Sequence, residues 1–169
     1  MTSQTTQILT RVQVEQKIRR IAFEIYENNF EESEVVLAGI SGEGYALAGR
    51  LAEVLRQIAP LAVSVMKISL DKSLTQQSPI QLDAETEDFT NRSVIVVDDV
   101  LNTGRTLAFS LQPFLNVPLT SLKVAVVVDR DHKRYPIAAD YIGYKLSTTL
   151  TEHVEVVLSD EERMGVYLR

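Results

Sequence analysis

Apolar residues within 12–29 fall at Val14, Ile18, Ile21, Ala22 and Ile25, while Glu15, Lys17, Arg20, Glu24 and Glu27 take the opposite side. Steps of three and four predict an amphipathic helix. A polar link, Glu31-Glu32-Ser33-Glu34, then precedes the compact run 35–39, whose shortness and closing glycine predict a buried strand. Helical spacing returns at Leu47, Ala48, Leu51, Ala52, Leu55 and Ile58 and stops before Pro60.

The unit then repeats. Residues 61–70, 94–97 and 124–128 read as strands, and Leu107, Ala108, Leu111, Phe114 and Leu115 mark a helix after Gly104. Unbroken apolar runs, as opposed to alternating ones, suit strands covered on both faces, which are mostly parallel. Strands alternating with helices predict an α/β fold with an open, mainly parallel sheet flanked by helices. Residues 71–91 stand apart, with Ser73, Thr75, Gln76, Gln77, Ser78 and Pro79 followed by Asp83, Glu85, Glu87 and Asp88. So long a polar stretch inside a compact domain is either a functional loop or a surface excursion, such as a partly formed hairpin.

Length and charge narrow the picture. A chain of 169 residues suits a single domain over 1–169 with one core. Its 23 acids against 17 bases argue against unspecific adhesion to nucleic acid or anionic lipid. With no cysteine, thiolate catalysis, disulfides and zinc-thiolate sites are excluded, and two histidines at 132 and 153 do not suggest a metal centre. No stretch approaches the roughly 20 apolar residues that span a bilayer, and the start is polar, so a cytoplasmic protein without membrane contact is expected.

The chemistry concentrates in residues 94–107, Val-Ile-Val-Val-Asp-Asp-Val-Leu-Asn-Thr-Gly-Arg-Thr-Leu. In an open parallel sheet the ligand crevice lies beyond the carboxyl ends of the strands, which is where Asp98 and Asp99 stand. Thr103, Gly104, Arg105 and Thr106 open the next helix, whose first N–H groups lack internal acceptors and favour a phosphate. Carboxylates and an anion site in one turn agree if the ligand has two ends, as a phosphorylated sugar does. A plainer reading also exists: Asp98 or Asp99 caps a turn and Thr103 caps a helix. Neighbouring strand residues point to opposite faces, so both acids reach one ligand only if the strand has ended by Asp98.

Residues 94–107 resemble the phosphoribosyl-diphosphate signature of the type I phosphoribosyltransferases: an apolar strand, two acids, a spacer, then Thr-Gly with Arg and Thr. Residues 127–143 are similar to the matching stretch of the bifunctional pyrimidine operon regulators with uracil phosphoribosyltransferase activity, as are 8–29 and 148–158. The resemblance implies a central parallel sheet with a small hood. It implies that Asp98 and Asp99 act in catalysis, holding the ribose hydroxyls directly or through Mg²⁺. Asn102, Thr103, Gly104, Arg105 and Thr106 would bind substrate, the last four cradling the 5-phosphate. The loop 39–44, with Ser41 and Gly42, would face the diphosphate, with a strained or cis peptide at Ile40-Ser41. Asp129 and Arg130 would stand near the base, although on their own residues 130–134 read as a solvated mixed-charge turn.

The implied partners are phosphoribosyl diphosphate and a nucleobase, uracil first, in a dimer or larger homo-oligomer. Three departures qualify this. The regulators usually carry basic residues in the diphosphate loop, where this chain has Ser41 and Glu43, which weakens binding of a highly charged leaving group. Asn102 stands where 6-oxopurine members have an acid that serves as a base, so purine salvage is disfavoured. Arg19 and Phe23 replace the Thr and His of RNA-binding members, so RNA is not an expected partner. The rival class is a non-catalytic regulator that binds a nucleotide or phosphoribosyl diphosphate.

Overall fold

The computed structural model describes residues 4–71, 79–149 and 151–169. Strand β1 (Thr6–Leu9) enters helix α1 (Arg11–Asn29) through Thr10. The Thr10 hydroxyl accepts from the Gln13 N–H, and the Gln13 side-chain oxygen accepts from the Thr10 N–H, so two donors at the helix start are satisfied reciprocally. Strand β2 (Glu34–Ile40), helix α2 (Glu43–Ile58) and strand β3 (Ala62–Ser69) follow. Strand β4 (Gln81–Leu82) folds back antiparallel on β3, which makes a hairpin of part of the polar stretch 71–91. Ser73, Thr75, Gln76, Gln77 and Ser78 lie outside the described residues.

Strand β5 (Ser93–Leu101), helices α3 (Arg105–Ser110) and α4 (Gln112–Leu115), and strands β6 (Ser121–Asp129) and β7 (Tyr141–Lys145) complete the main sheet. Its order is β4-β3-β2-β5-β6-β7, parallel from β3 through β7. Strands β8 (Val154–Val157) and β9 (Gly165–Leu168) join β1 in a three-stranded antiparallel sheet, the hood. The spacing predicts one helix from Leu107 to Leu115, but the chain breaks at Leu111. Pro113 has no N–H to donate back to Phe109, and its ring crowds the preceding turn.

Both faces of the main sheet are covered, which is why β2 and β5 are continuously apolar. Val35, Leu37, Ile95 and Val97 face α1 and α2, packing with Ile21, Leu47, Leu51 and Leu55. Their neighbours Val36, Ala38, Val94 and Val96 face the other layer, with Phe89, Leu107 and Phe114. Among the described residues no helix is long and apolar enough to cross a membrane.

The hood is tied to both helices of the first layer by charge. Arg50 donates to the Leu158 carbonyl through Nε at 3.2 Å and Nη2 at 2.7 Å, and Nη2 also reaches Glu161 at 2.7 Å. Arg11 Nη2 lies 2.7 Å from the other Glu161 oxygen. The hydrogen bond and charge of Arg50, with the charge of Arg11, hold the Glu161 carboxyl below its ordinary value.

The joint between β5 and α3 is Gly104, at φ 87° in the left-handed region. A Cβ there would stand 2.2 Å from the Ile137 Cγ2 methyl. Glycine is thus required twice, for backbone conformation and for room.

Two outcomes follow from these contacts. Gly104→Ala should destabilise by about 2–5 kcal/mol, combining left-handed strain with overpacking. In a double-mutant cycle, Ile137→Ala should recover about 1–3 kcal/mol of the summed single effects, because it removes the methyl that the new Cβ meets; strict additivity in urea denaturation contradicts the clash. Because Glu161 is more acidic folded than unfolded, its contribution is present above the ordinary glutamate value of about 4.3 and is lost as pH falls through the lowered value. Glu161→Gln should therefore lower the urea midpoint at pH 7 and match the unsubstituted protein near pH 3. A gap that persists at acid pH contradicts this origin.

Candidate active site

A cavity of about 460 Å³ opens at the carboxyl end of β5, between the main sheet and the hood. One wall is continuous in sequence, running from Asp98 through Leu107; the other comprises Glu43 and the hood residues His153, Val154, Glu155, Val156, Val157, Ser159, Asp160 and Arg163. Strand β5 is central, paired with β2 on one side and β6 on the other, so the crevice at its end is flanked by strands on both sides. The pairing of Gly39 with Val97 brings the loop after β2 alongside the acids.

Asp98 and Asp99 both line this cavity, although β5 does not end before them: it continues to Leu101. The expectation that the strand must stop by Asp98 is therefore corrected. The reason is a break in alternation, since Val97 and Val100, three residues apart, both pack in the α1/α2 layer while Leu101 packs in the other. The break is stabilised locally. Asp98 Oδ1 accepts from the Asp99 N–H and Asp99 Oδ1 accepts from the Val100 N–H, each at 2.9 Å. Asp98 is buried at 3% exposure, and a Cβ on Gly44 would come 3.0 Å from its Oδ1, so α2 begins directly against this carboxylate.

The turn after the acids is shaped from outside, by the segment 130–137. The Thr103 carbonyl accepts from the Arg134 N–H at 2.8 Å and the Tyr135 N–H at 3.1 Å, and Ile137 presses on Gly104. Thr103 Oγ1 accepts from the Arg105 N–H at 3.3 Å, and the Arg105 guanidinium lies over the Phe109 ring. The N–H groups of Gly104 and Thr106 and the Thr106 hydroxyl have no hydrogen-bond acceptor among the described residues. An anion placed there meets donors already aimed at it.

Arg130 and Asp129 occupy different surroundings from this turn. Arg130 is buried at 8% exposure, and its guanidinium donates to Asn102 Oδ1 at 2.9 Å, Thr148 Oγ1 at 3.0 Å and the Thr149 and Glu152 carbonyls at 3.3 and 2.7 Å. It clasps the end of β5 to the segment entering the hood. Asp129 lines a smaller cavity of about 150 Å³ with Asp131, Lys133, Lys145, Leu146 and Ser147. The structure thus brings together Asp98, Asp99, Asn102, Thr103, Gly104, Arg105 and Thr106, joins Arg130 to them through Asn102, and sets Asp129 beside a second cavity.

In the loop after β2, the Ser41 N–H donates to the Ile68 carbonyl at 2.8 Å, and neither Ser41 nor Gly42 lines the larger cavity. Of the strained or cis peptide expected at Ile40-Ser41, the cis form is corrected, because among the described residues no peptide bond is cis. The sharp reversal into α2 is taken instead by Gly42, at φ 92°.

Sequence reasoning missed the hood wall, above all Glu155, Ser159, Asp160 and Arg163. The available signal was a second largely apolar stretch, 154–158, interrupted by Glu155, that ends in Ser159-Asp160 much as 94–97 ends in two acids. As a metal site, Asp98 and Asp99 offer two adjacent carboxylates, and among the described residues no group of three or more His, Cys, Asp or Glu converges. That donor set fits Mg²⁺, which keeps several waters and is held by one or two carboxylates together with substrate oxygens.

Residues 4–162 match the phosphoribosyl transferase domain family. The chain is 37% identical to the bifunctional protein PyrR of Bacillus velezensis over 170 residues, covering 95% of this chain and 94% of that protein. It is 36% identical to the bifunctional protein PyrR of Bacillus subtilis, with the same coverage of both. Among solved structures, a hypoxanthine-guanine phosphoribosyltransferase of Bacillus anthracis superposes with a TM-score of 0.75 at 19% identity over 96% of this chain and 95% of that one. The hypoxanthine phosphoribosyltransferase of Trypanosoma cruzi gives 0.78 at 17% identity over the same shares. At those identities the solved structures speak for the fold alone. The family match and the more similar relatives, each spanning nearly the whole chain, carry the assignment: this chain belongs to the phosphoribosyltransferase family.

Proposed function

We propose that the chain transfers ribose 5-phosphate from phosphoribosyl diphosphate to a pyrimidine-like base, uracil first, and releases diphosphate. The observation that carries this reading is one cavity lined both by two carboxylates, Asp98 and Asp99, and by the Gly104 and Thr106 amides, which have no acceptor among the described residues. The 5-phosphate sits on Thr103, Gly104, Arg105 and Thr106, and the ribose hydroxyls face Asp98 and Asp99. The resemblance of residues 127–143 to the pyrimidine operon regulators supports a pyrimidine base. Asn102 adds to this: its side-chain oxygen is taken by Arg130, leaving an NH₂ that donates and cannot accept a proton.

In the reaction, the bond from the anomeric carbon to diphosphate breaks as a bond to a ring nitrogen forms, and the proton of that nitrogen passes to solvent. Positive charge develops on the sugar as the leaving group departs, so fixed carboxylates nearby stabilise the transition state more than the ground state. At an effective dielectric near 20, a unit charge about 4 Å away contributes roughly 4 kcal/mol. Holding both ends of the sugar also keeps the anomeric carbon in line with the incoming base. Asp98 and Asp99 would hold Mg²⁺, which when bound neutralises charge on the diphosphate.

A second reading, a non-catalytic binder of nucleotide or phosphoribosyl diphosphate, is favoured by the acidic lining: Glu43, Asp98, Asp99, Glu155 and Asp160 against Arg105 and Arg163. Diphosphate release in the presence of uracil, Mg²⁺ and phosphoribosyl diphosphate separates the two, since the binder gives saturable binding without turnover. For the enzyme, Asp98→Asn with Asp99→Asn should cut kcat by at least about 10³-fold. The fold should survive, because each amide oxygen can still accept from the Asp99 or Val100 N–H. An unchanged kcat in the double variant removes these residues from the mechanism.

A further inference from the structure

Glu43 is the residue of the loop after β2 that reaches the cavity, and it enters as an acid. Its Oε2 accepts from the Leu158 N–H at 2.7 Å and the Ser159 N–H at 3.1 Å, and its Oε1 accepts from the Ser159 hydroxyl at 2.5 Å. Two consecutive backbone amides and a hydroxyl, converging on one pair of oxygens, form an oxyanion receptor. Here the anion is supplied by the protein itself. The same hood residue is held from its other side by Arg50, which donates to the Leu158 carbonyl. Glu43 and Arg50, two turns apart on one face of α2, thus grip both polar ends of the Leu158 backbone.

We propose that Glu43 is a specificity-determining residue that acts as a built-in competitor for the diphosphate end of the ligand. The proposal rests on the reading above, in which residues 103–106 take the 5-phosphate, and it adds a selection between ligands. A sugar carrying only the 5-phosphate leaves the contact between Glu43 and the hood intact. A sugar carrying diphosphate brings further negative oxygens toward a cavity wall whose loop side chain is already negative. It gains the Leu158 and Ser159 donors only by displacing the carboxylate. Like charges at close range in a partly enclosed site repel strongly, so the contact discriminates on charge as well as on occupancy.

The test is isothermal titration of ribose 5-phosphate, inorganic diphosphate and phosphoribosyl diphosphate, each with Mg²⁺, into the full chain and its Glu43→Gln variant. Glutamine keeps the shape, loses the charge and can accept through one oxygen only. The Kd of inorganic diphosphate and of phosphoribosyl diphosphate should fall at least tenfold in Glu43→Gln, while that of ribose 5-phosphate stays within twofold. Unchanged or weaker diphosphate binding overturns the proposal and makes Glu43 a strap for the hood alone. If ribose 5-phosphate fails to bind the unsubstituted chain, the phosphate-cradle reading fails instead. A measurement on the unsubstituted chain guards against a variant that does not fold. Inorganic diphosphate should shift the Leu158 and Ser159 amide resonances, and ribose 5-phosphate should shift those of Gly104 and Thr106 without moving the hood pair. Hood amides that stay unmoved at saturating diphosphate overturn the competition.

Discussion

The site depends on a turn that cannot hold its own shape. Between Leu101 and Arg105 the backbone leaves a strand, passes through a left-handed glycine and starts a helix, and the bond seen within the turn is a long contact from the Arg105 N–H to Thr103 Oγ1 at 3.3 Å. What fixes it is the segment after β6: two N–H groups on the Thr103 carbonyl, an isoleucine methyl against Gly104 and a buried guanidinium on Asn102. With the Thr103 carbonyl engaged by that segment, the Gly104 and Thr106 N–H groups remain without an acceptor among the described residues, and both residues line the cavity. The shape of the proposed anion cradle is therefore set by residues about 30 positions away from the amides that would form it.

A separate local device lets two neighbouring acids share one cavity. A strand that alternated regularly would send one of them into the apolar layer. A slip in phase between Val97 and Val100 avoids this, held by carboxylate contacts to the next backbone N–H. Both acids can then work on one ligand while β5 still pairs with β6 as far as Leu101. The hood supplies the facing wall, and ionic contacts from α1 and α2 keep it there.

Much of this was legible in the chain. The periodicities of 12–29 and 47–58 and the apolar runs at 35–39, 94–97 and 124–128 correspond to α1, α2, β2, β5 and β6, since elements covered by neighbours declare themselves through apolar spacing. The hood was not legible from periodicity. Its strands are four residues long, and β1 pairs with β9 across nearly the full length of the chain, a separation to which local patterns are blind. Arg130 illustrates the same limit. Within Arg-Asp-His-Lys-Arg it reads as solvated, and only the fold brings Asn102, Thr148, Thr149 and Glu152 around it. The doublet Asp98-Asp99 was recognisable by its position after an apolar run, but the rule of alternation, applied alone, misjudged how a strand could present both.

The central claim is that one sugar phosphate is held at both ends by neighbouring parts of a single stretch of chain. A crystal structure of the protein soaked with ribose 5-phosphate and Mg²⁺ tests it most directly. The account predicts phosphate oxygens within hydrogen-bonding distance of the Gly104 and Thr106 amides, with the ribose hydroxyls turned toward Asp98 and Asp99. A ligand lodged elsewhere, with that turn empty, contradicts it.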